Sequence, residues 1–146
     1  PALTSFVLVT TLEAAPAREA EFFLDALSER NLDVGAMVLN RVLPESLLAP
    51  AGLAACDALR AHADDFASRL QLDVPPADVA RVLTEMAHSF GNFSVAARRE
   101  MEHRVRLEAR AVSTNRRVGT VVSVPSFGDD IHDVKGLARL GAQLWA

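Results

Sequence analysis

Ser5-Phe6-Val7-Leu8-Val9-Thr10 and Val34-Gly35-Ala36-Met37-Val38-Leu39-Asn40 are the two stretches that decide how this chain folds. Each is a short apolar run rich in strand formers, which predicts a strand in a sheet buried on both faces. Between them, Thr10 and Thr11 end the first strand and offer hydroxyls to cap a helix, and Pro16 is tolerable within a first helical turn. Phe22, Phe23, Ala26 and Leu27 follow at helical spacing and are expected to face the core, with Glu19, Asp25, Glu29 and Arg30 on the wet side. Asn31–Asp33 breaks this helix before the second strand. Strand, helix and strand within residues 5–40 make a βαβ unit, whose crossover is parallel and right-handed.

Further along, the pattern changes. From Pro50 to Ala111 the apolar residues keep a helical period: Leu53, Cys56, Leu59, Ala63, Phe66 and Leu70 form one stripe, and Val79, Val82, Leu83, Met86 and Phe90 a second. Val74-Pro75-Pro76 separates these helices, and Gly91-Asn92 is expected to turn the chain into a third, Ser94–Val112, with five arginines and three glutamates. Val118–Val124 resumes strand character. The loop Pro125–Asp129 then leads to a last helix carrying Val134, Leu137, Leu140 and Leu144. The expected architecture is an α/β unit over 1–146 with a partial parallel sheet of three strands, interrupted by a helical insert at 45–117. So thin a sheet leaves Val- and Leu-rich edges that invite pairing with further strands or another chain.

Composition narrows the function. With 146 residues, half of them hydrophobic and 23% charged, disordered and low-complexity classes are excluded. No run approaches the ~18–20 apolar residues of a membrane-spanning helix. Pro1–Thr10 has neither a basic leader nor a cleavage site, so a cytoplasmic protein that is not an integral membrane protein is expected. The single cysteine, Cys56, excludes an internal disulfide and a multi-cysteine zinc site. A net charge of −4 argues against a general nucleic-acid surface. Lys135 is the lone lysine, so a phosphate loop with its own lysine is not expected.

Two rims carry candidate chemistry. Asn40-Arg41 ends the second strand, where ligands bind in open α/β sheets; an Asn there can donate to a ring nitrogen and accept from an exocyclic amine, or simply serve a turn. Pro125, Ser126 and Phe127 end the third strand and would edge a base pocket on the same rim. Asp129, Asp130 and Asp133 read as favourable charges at a helix N-terminus. Glu85/His88 and Glu100/His103 form two Glu-x-x-His elements of di-iron type; a hairpin about Gly91-Asn92 would bring Glu85 near Glu100 and carry His88 and His103 to opposite ends, and the alternative is two solvated helix faces. Cys56 reads as a small core residue. Ser5, Ser46 and Ser126 lack the elbow and partners of a hydrolase nucleophile.

Phe6-Val-Leu-Val-Thr-Thr-Leu-Glu13, Arg18-Glu19-Ala20, Val38-Leu-Asn-Arg-Val-Leu-Pro44 and Val124-Pro-Ser-Phe-Gly-Asp-Asp-Ile-His-Asp-Val-Lys-Gly-Leu137 together resemble the C-terminal portion of the ArsA/Get3-type ATPases. These are the anion-pump and tail-anchored-protein-targeting members of the deviant-Walker P-loop group. The resemblance covers residues ~5–44 and ~118–145, with the helical segment only loosely similar. It implies a P-loop NTPase-type fold, ATP or ADP as ligand, adenine recognition by Asn40, with Arg41 beside it, and an opposite wall of Pro125, Ser126 and Phe127. It places Glu13 near a dimer interface, and implies a homodimer or paralogue heterodimer whose helical insert takes a protein or hydrophobic-helix cargo. The family's glycine-rich lysine loop and both switch motifs, which hold phosphate and magnesium, lie upstream of the position matching Pro1. The chain is therefore expected to be the adenine side of such an ATPase, not hydrolytic by itself; the alternative is a non-catalytic helical interaction module.

Overall fold

The computed structural model describes residues 4–113, 118–128 and 130–145. Strand β1 (Ser5–Thr11), helix α1 (Ala14–Glu29) and strand β2 (Asp33–Val42) form the βαβ unit. A 3-10 turn at Glu45–Leu48 precedes helices α2 (Pro50–Arg69) and α3 (Pro76–Ser113), and strand β3 (Thr120–Pro125) and helix α4 (Val134–Leu144) close the chain. The sheet has the order β1-β2-β3 with both pairings parallel, so the protein is α/β with a three-stranded parallel sheet. Asp129 and residues 114–117 of the expected insert lie outside the described residues. The chain forms two compact units, residues 1–44 with 99–146, and residues 45–98.

In the sheet unit, α1 starts without a side-chain cap: Glu13 holds the N-cap position, and the Thr10 hydroxyl instead donates to the carbonyls of Pro16 and Thr11, 3.1 Å from each. The helix ends in a Schellman turn. Asn31 takes φ 57°, Leu32 N–H reaches the Leu27 carbonyl at 2.9 Å, and Asn31 N–H reaches that of Ser28 at 3.0 Å. The buried face is Ala17, Ala20, Leu24 and Leu27, whereas Phe22 and Phe23 are 70% and 55% exposed. This corrects the expected face. Leu24 and Leu27 share their own helical stripe with the alanines, and that stripe lies on the sheet.

Leu24 and Leu27 pack with Leu12, Met37 and Leu39 of the strand side and with Leu107 and Ala111 from the last turns of α3. Arg110 holds α3 to α1 through both Asp25 oxygens, its Nε at 2.7 Å from Oδ1, and Arg106 stands 3.7 Å from Glu21. The hydrogen-bonding Arg110 guanidinium lowers the Asp25 carboxyl below its ordinary value. The opposite sheet face is different. Register places Val7 beside Ala36 and Val9 beside Val38 there, and the two valines are 62% and 60% exposed. β1 is thus buried on one face only, contrary to the reading of its apolar run, because α4 packs along β3 and leaves the β1 side bare. Gly119 is required where β3 begins: its N–H bonds the Val34 carbonyl at 3.1 Å, and a Cβ there would collide with the Gly35 carbonyl oxygen.

In the helical unit, Pro50 opens α2, which bends at His62 (φ −133°, ψ 28°) and buries Cys56 and Ala67. α3 runs unbroken through Gly91-Asn92 for 38 residues, so the expected turn is absent. A glycine inside a helix costs only about 1 kcal/mol relative to alanine. Ala80, Ala87 and Ser94, at seven-residue intervals, and Ala97 keep one face of small buried residues continuous across that site. Val82 and Met86 of the expected stripe are exposed instead. Gly52 lets the Phe90 ring approach, since a Cβ would stand 2.9 Å from it, and the Ser94 hydroxyl donates to the Leu47 carbonyl.

Candidate functional site

The carboxyl end of β2 is built around an irregularity. Leu39 pairs with Ser123 of β3, but the next pair is Val42 with Pro125, so Asn40 and Arg41 stand in a bulge. Arg41 adopts φ 59°, a left-handed conformation that costs a non-glycine residue about 1–2 kcal/mol. Such outliers persist only where surrounding bonds hold them, and they concentrate at functional sites. Three bonds do so here. Asn40 Oδ1 accepts the Arg41 N–H at 3.0 Å, Ser126 N–H donates to the Val42 carbonyl at 2.9 Å, and Leu43 N–H donates to Glu100 Oε2 at 2.9 Å.

Beside the bulge lies a pocket of about 250 Å³, walled by Pro125, Phe127, Ile131 and Leu140, with Asn40, Arg41 and Asp130 as its polar members. Of the five residues expected at a ligand site, the structure brings four together in this lining: Asn40, Arg41, Pro125 and Phe127. Ser126 is not in the lining and acts through its backbone, which fastens the two strand ends. Asp130, Ile131 and Leu140 were not expected there. Leu140 carries a weak signal, lying one helical turn from the buried Gly136 on the same stripe of α4 and half-buried like Ile131. Arg139 stacks over the Phe127 ring, 4.7 Å from its centroid. Asp133 caps α4 by accepting Gly136 N–H at 2.6 Å, as its charge reading anticipated. His132 Nδ1 lies 2.8 Å from the Asp130 carbonyl, which makes that nitrogen the donor.

Asn40 also borders a second, larger groove of about 520 Å³ between β1 and α1, lined by Val7, Val9, Thr11, Glu19 and Phe23. Thr11 pairs with Asn40 across the sheet, and its buried hydroxyl has no partner among the described residues.

The two Glu-x-x-His elements do not converge. Both lie on the one helix α3, fifteen residues apart in sequence, so the hairpin that would have joined them is corrected along with the turn. Glu85 binds Arg81 at 3.0 Å, His103 Nδ1 lies 2.9 Å from Arg106 Nη2, and Glu100 is committed to Leu43. Cys56 is buried on α2. Among the described residues no helix is long and apolar enough to cross a membrane.

The polar lining of the smaller pocket is one amide, one guanidinium and one carboxylate, those of Asn40, Arg41 and Asp130. The pocket offers flat apolar walls and one amide with two-sided hydrogen bonding at the carboxyl ends of parallel strands. Neither a protein-family model nor a curated protein matches this chain.

Proposed function

We propose that this chain binds an adenine nucleotide, ATP or ADP, with the base in the pocket between Asn40-Arg41 and Pro125-Phe127. The observation that carries this reading is the bulge itself: a strained, triply held turn that presents Asn40 to a flat apolar slot. Asn40 Oδ1 uses one lone pair on Arg41 N–H and keeps another for an exocyclic amine, while its NH2 can donate to a ring nitrogen. Phe127 and Pro125 supply surfaces for stacking. The wider proposal is that the chain forms the adenine side of an ArsA/Get3-like P-loop-type ATPase, acting as a dimer. Phosphate and magnesium then fall to residues outside its own set, and the chain does not hydrolyse ATP unaided. Titration calorimetry with adenosine, ADP and guanosine tests the reading. Binding of both adenine ligands in preference to guanosine is expected, and equal binding of guanosine, or none of adenosine, overturns it.

A second reading, a helical module that takes a protein or hydrophobic-helix partner, has its own observation. On α3, Met86 and Phe93 are 60% and 55% exposed, on a helix whose other face is already buried. Phe93→Asp should leave the fold intact and abolish partner capture; retained capture removes this reading.

A further inference from the structure

The bond between Glu100 and the Leu43 amide joins residues 57 positions apart and serves neither helix nor sheet. Glu100 belongs to α3 and is half-buried, and Leu43 is the first residue beyond the end of β2. Parallel pairing to β3 resumes at Val42, whose carbonyl already takes Ser126 N–H. Val42 and Leu43 are therefore pinned from two directions, by the β3 loop and by a helix. Asn40-Arg41 lies between that pinned point and the last regular pair, Leu39 with Ser123.

We infer that Glu100 is a positioning residue for the pocket: its carboxylate holds the chain beyond β2 so that Arg41 stays left-handed and Asn40 faces the slot. The physical case is one of forces on a strained turn. A left-handed arginine relaxes toward the right-handed or extended region unless both flanks are fixed. The inner flank is fixed by the sheet. The outer flank has one strand bond through Val42 and one charge-assisted bond through Leu43, and carboxylate acceptors make bonds roughly twice as strong as neutral ones. Glu100 acts through the backbone and is not part of the pocket lining. It also gives the half-buried carboxylate a use other than the metal ligation its Glu-x-x-His spacing invites.

The inference rests on the adenine reading only for the identity of the ligand, and its test separates the two. Glu100→Ala removes the acceptor, and Glu100→Gln keeps an oxygen in the same place. Amide hydrogen exchange by NMR reads Leu43 directly: about tenfold or more faster exchange is expected in Glu100→Ala. Glu100→Gln should stay close to wild type, and amides of β1 and α1 should not change. The Asn40 and Arg41 amide resonances should shift in Glu100→Ala alone. Adenosine affinity should fall about tenfold in Glu100→Ala and about threefold or less in Glu100→Gln. Unchanged Leu43 exchange, or faster exchange without any shift at Asn40 and Arg41, overturns the positioning role. Wild-type protein that binds no adenosine overturns the ligand reading, while the exchange and shift measurements still decide Glu100. Adenosine affinity unchanged in Glu100→Ala, with wild type binding normally, also overturns the role.

Discussion

Asn40 performs two separable tasks, and Asn40→Asp divides them. The aspartate retains an oxygen that accepts Arg41 N–H, now at 3.0 Å from Asn40 Oδ1, so the bulge keeps its local bond. It loses the NH2 donors that adenine's ring nitrogen requires and brings a negative charge toward that lone pair. The expected loss of adenosine affinity is about 1–3 kcal/mol, the cost of an unpaired buried group, or roughly five- to 150-fold. Guanine presents donors on the corresponding edge, so guanosine affinity should hold or rise in the same variant. Asn40→Ala should lose both tasks: adenosine affinity falls by about 1–3 kcal/mol and the fold weakens by about 1 kcal/mol with the lost backbone bond. Calorimetric titration of wild type and both variants, paired with urea denaturation, supplies the two axes. An Asn40→Asp protein that binds adenosine as well as wild type refutes the reasoning. So does a pair of variants that lose stability equally while binding is untouched, since Asn40 would then be a turn residue and nothing more.

Leu107, fully buried in the core cluster with residues of α1 and the sheet, should cost about 2–5 kcal/mol on truncation to alanine, read as a shift of the urea midpoint; a loss under about 1 kcal/mol contradicts the assigned core. The Asp25–Arg110 pair makes stability depend on acid. Because the folded carboxyl is held below its ordinary value, the contribution is complete above about pH 4 and drains as pH falls through the folded value. Asp25→Asn should flatten that part of the stability curve, and an unchanged slope between pH 4 and pH 2 removes the pair from it. Val7→Lys places a charge on the bare face beside the β1 edge and should lower the mass seen by light scattering across a dilution series. A wild-type monomer at every concentration would show that β1 pairs with no second copy of the chain.

The βαβ unit is legible in residues 5–40 because strand formers cluster in two runs too short for helices, with a helix-breaking Asn31 between α1 and β2. The phase of α1 is not. Phe22-Phe23 and Leu24-Leu27 both suit a helix face, and only packing against the sheet selects the stripe shared with Ala17 and Ala20. β1 misleads for a related reason: Val7 and Val9 report what the strand can bury, whereas burial also needs a covering element. Gly91-Asn92 carries the strongest local turn signal in α3, yet it is outweighed by the small-residue face that continues at Ala87, Ser94 and Ala97. At the site, the rule that ligands gather at strand carboxyl ends locates Asn40, Arg41, Pro125 and Phe127 from sequence order alone. The left-handed Arg41 and the clamp from Glu100 are invisible there, because one is a backbone angle and the other joins groups 57 residues apart.

The unbroken run of α3 gives the chain a phase as well as a length. Glu100, Leu107 and Ala111 share one helical screw, and each residue of that screw advances the side-chain direction by about 100°. A single residue inserted between Glu100 and Leu107 would therefore swing Leu107 and Ala111 together off their present bearings relative to Glu100, though none of them had been altered. An insertion of seven or eleven residues would nearly restore those bearings. Tolerance of this helix to changes in length is thus arithmetic rather than gradual, and variants of the protein that keep a working sheet should differ here by whole turns.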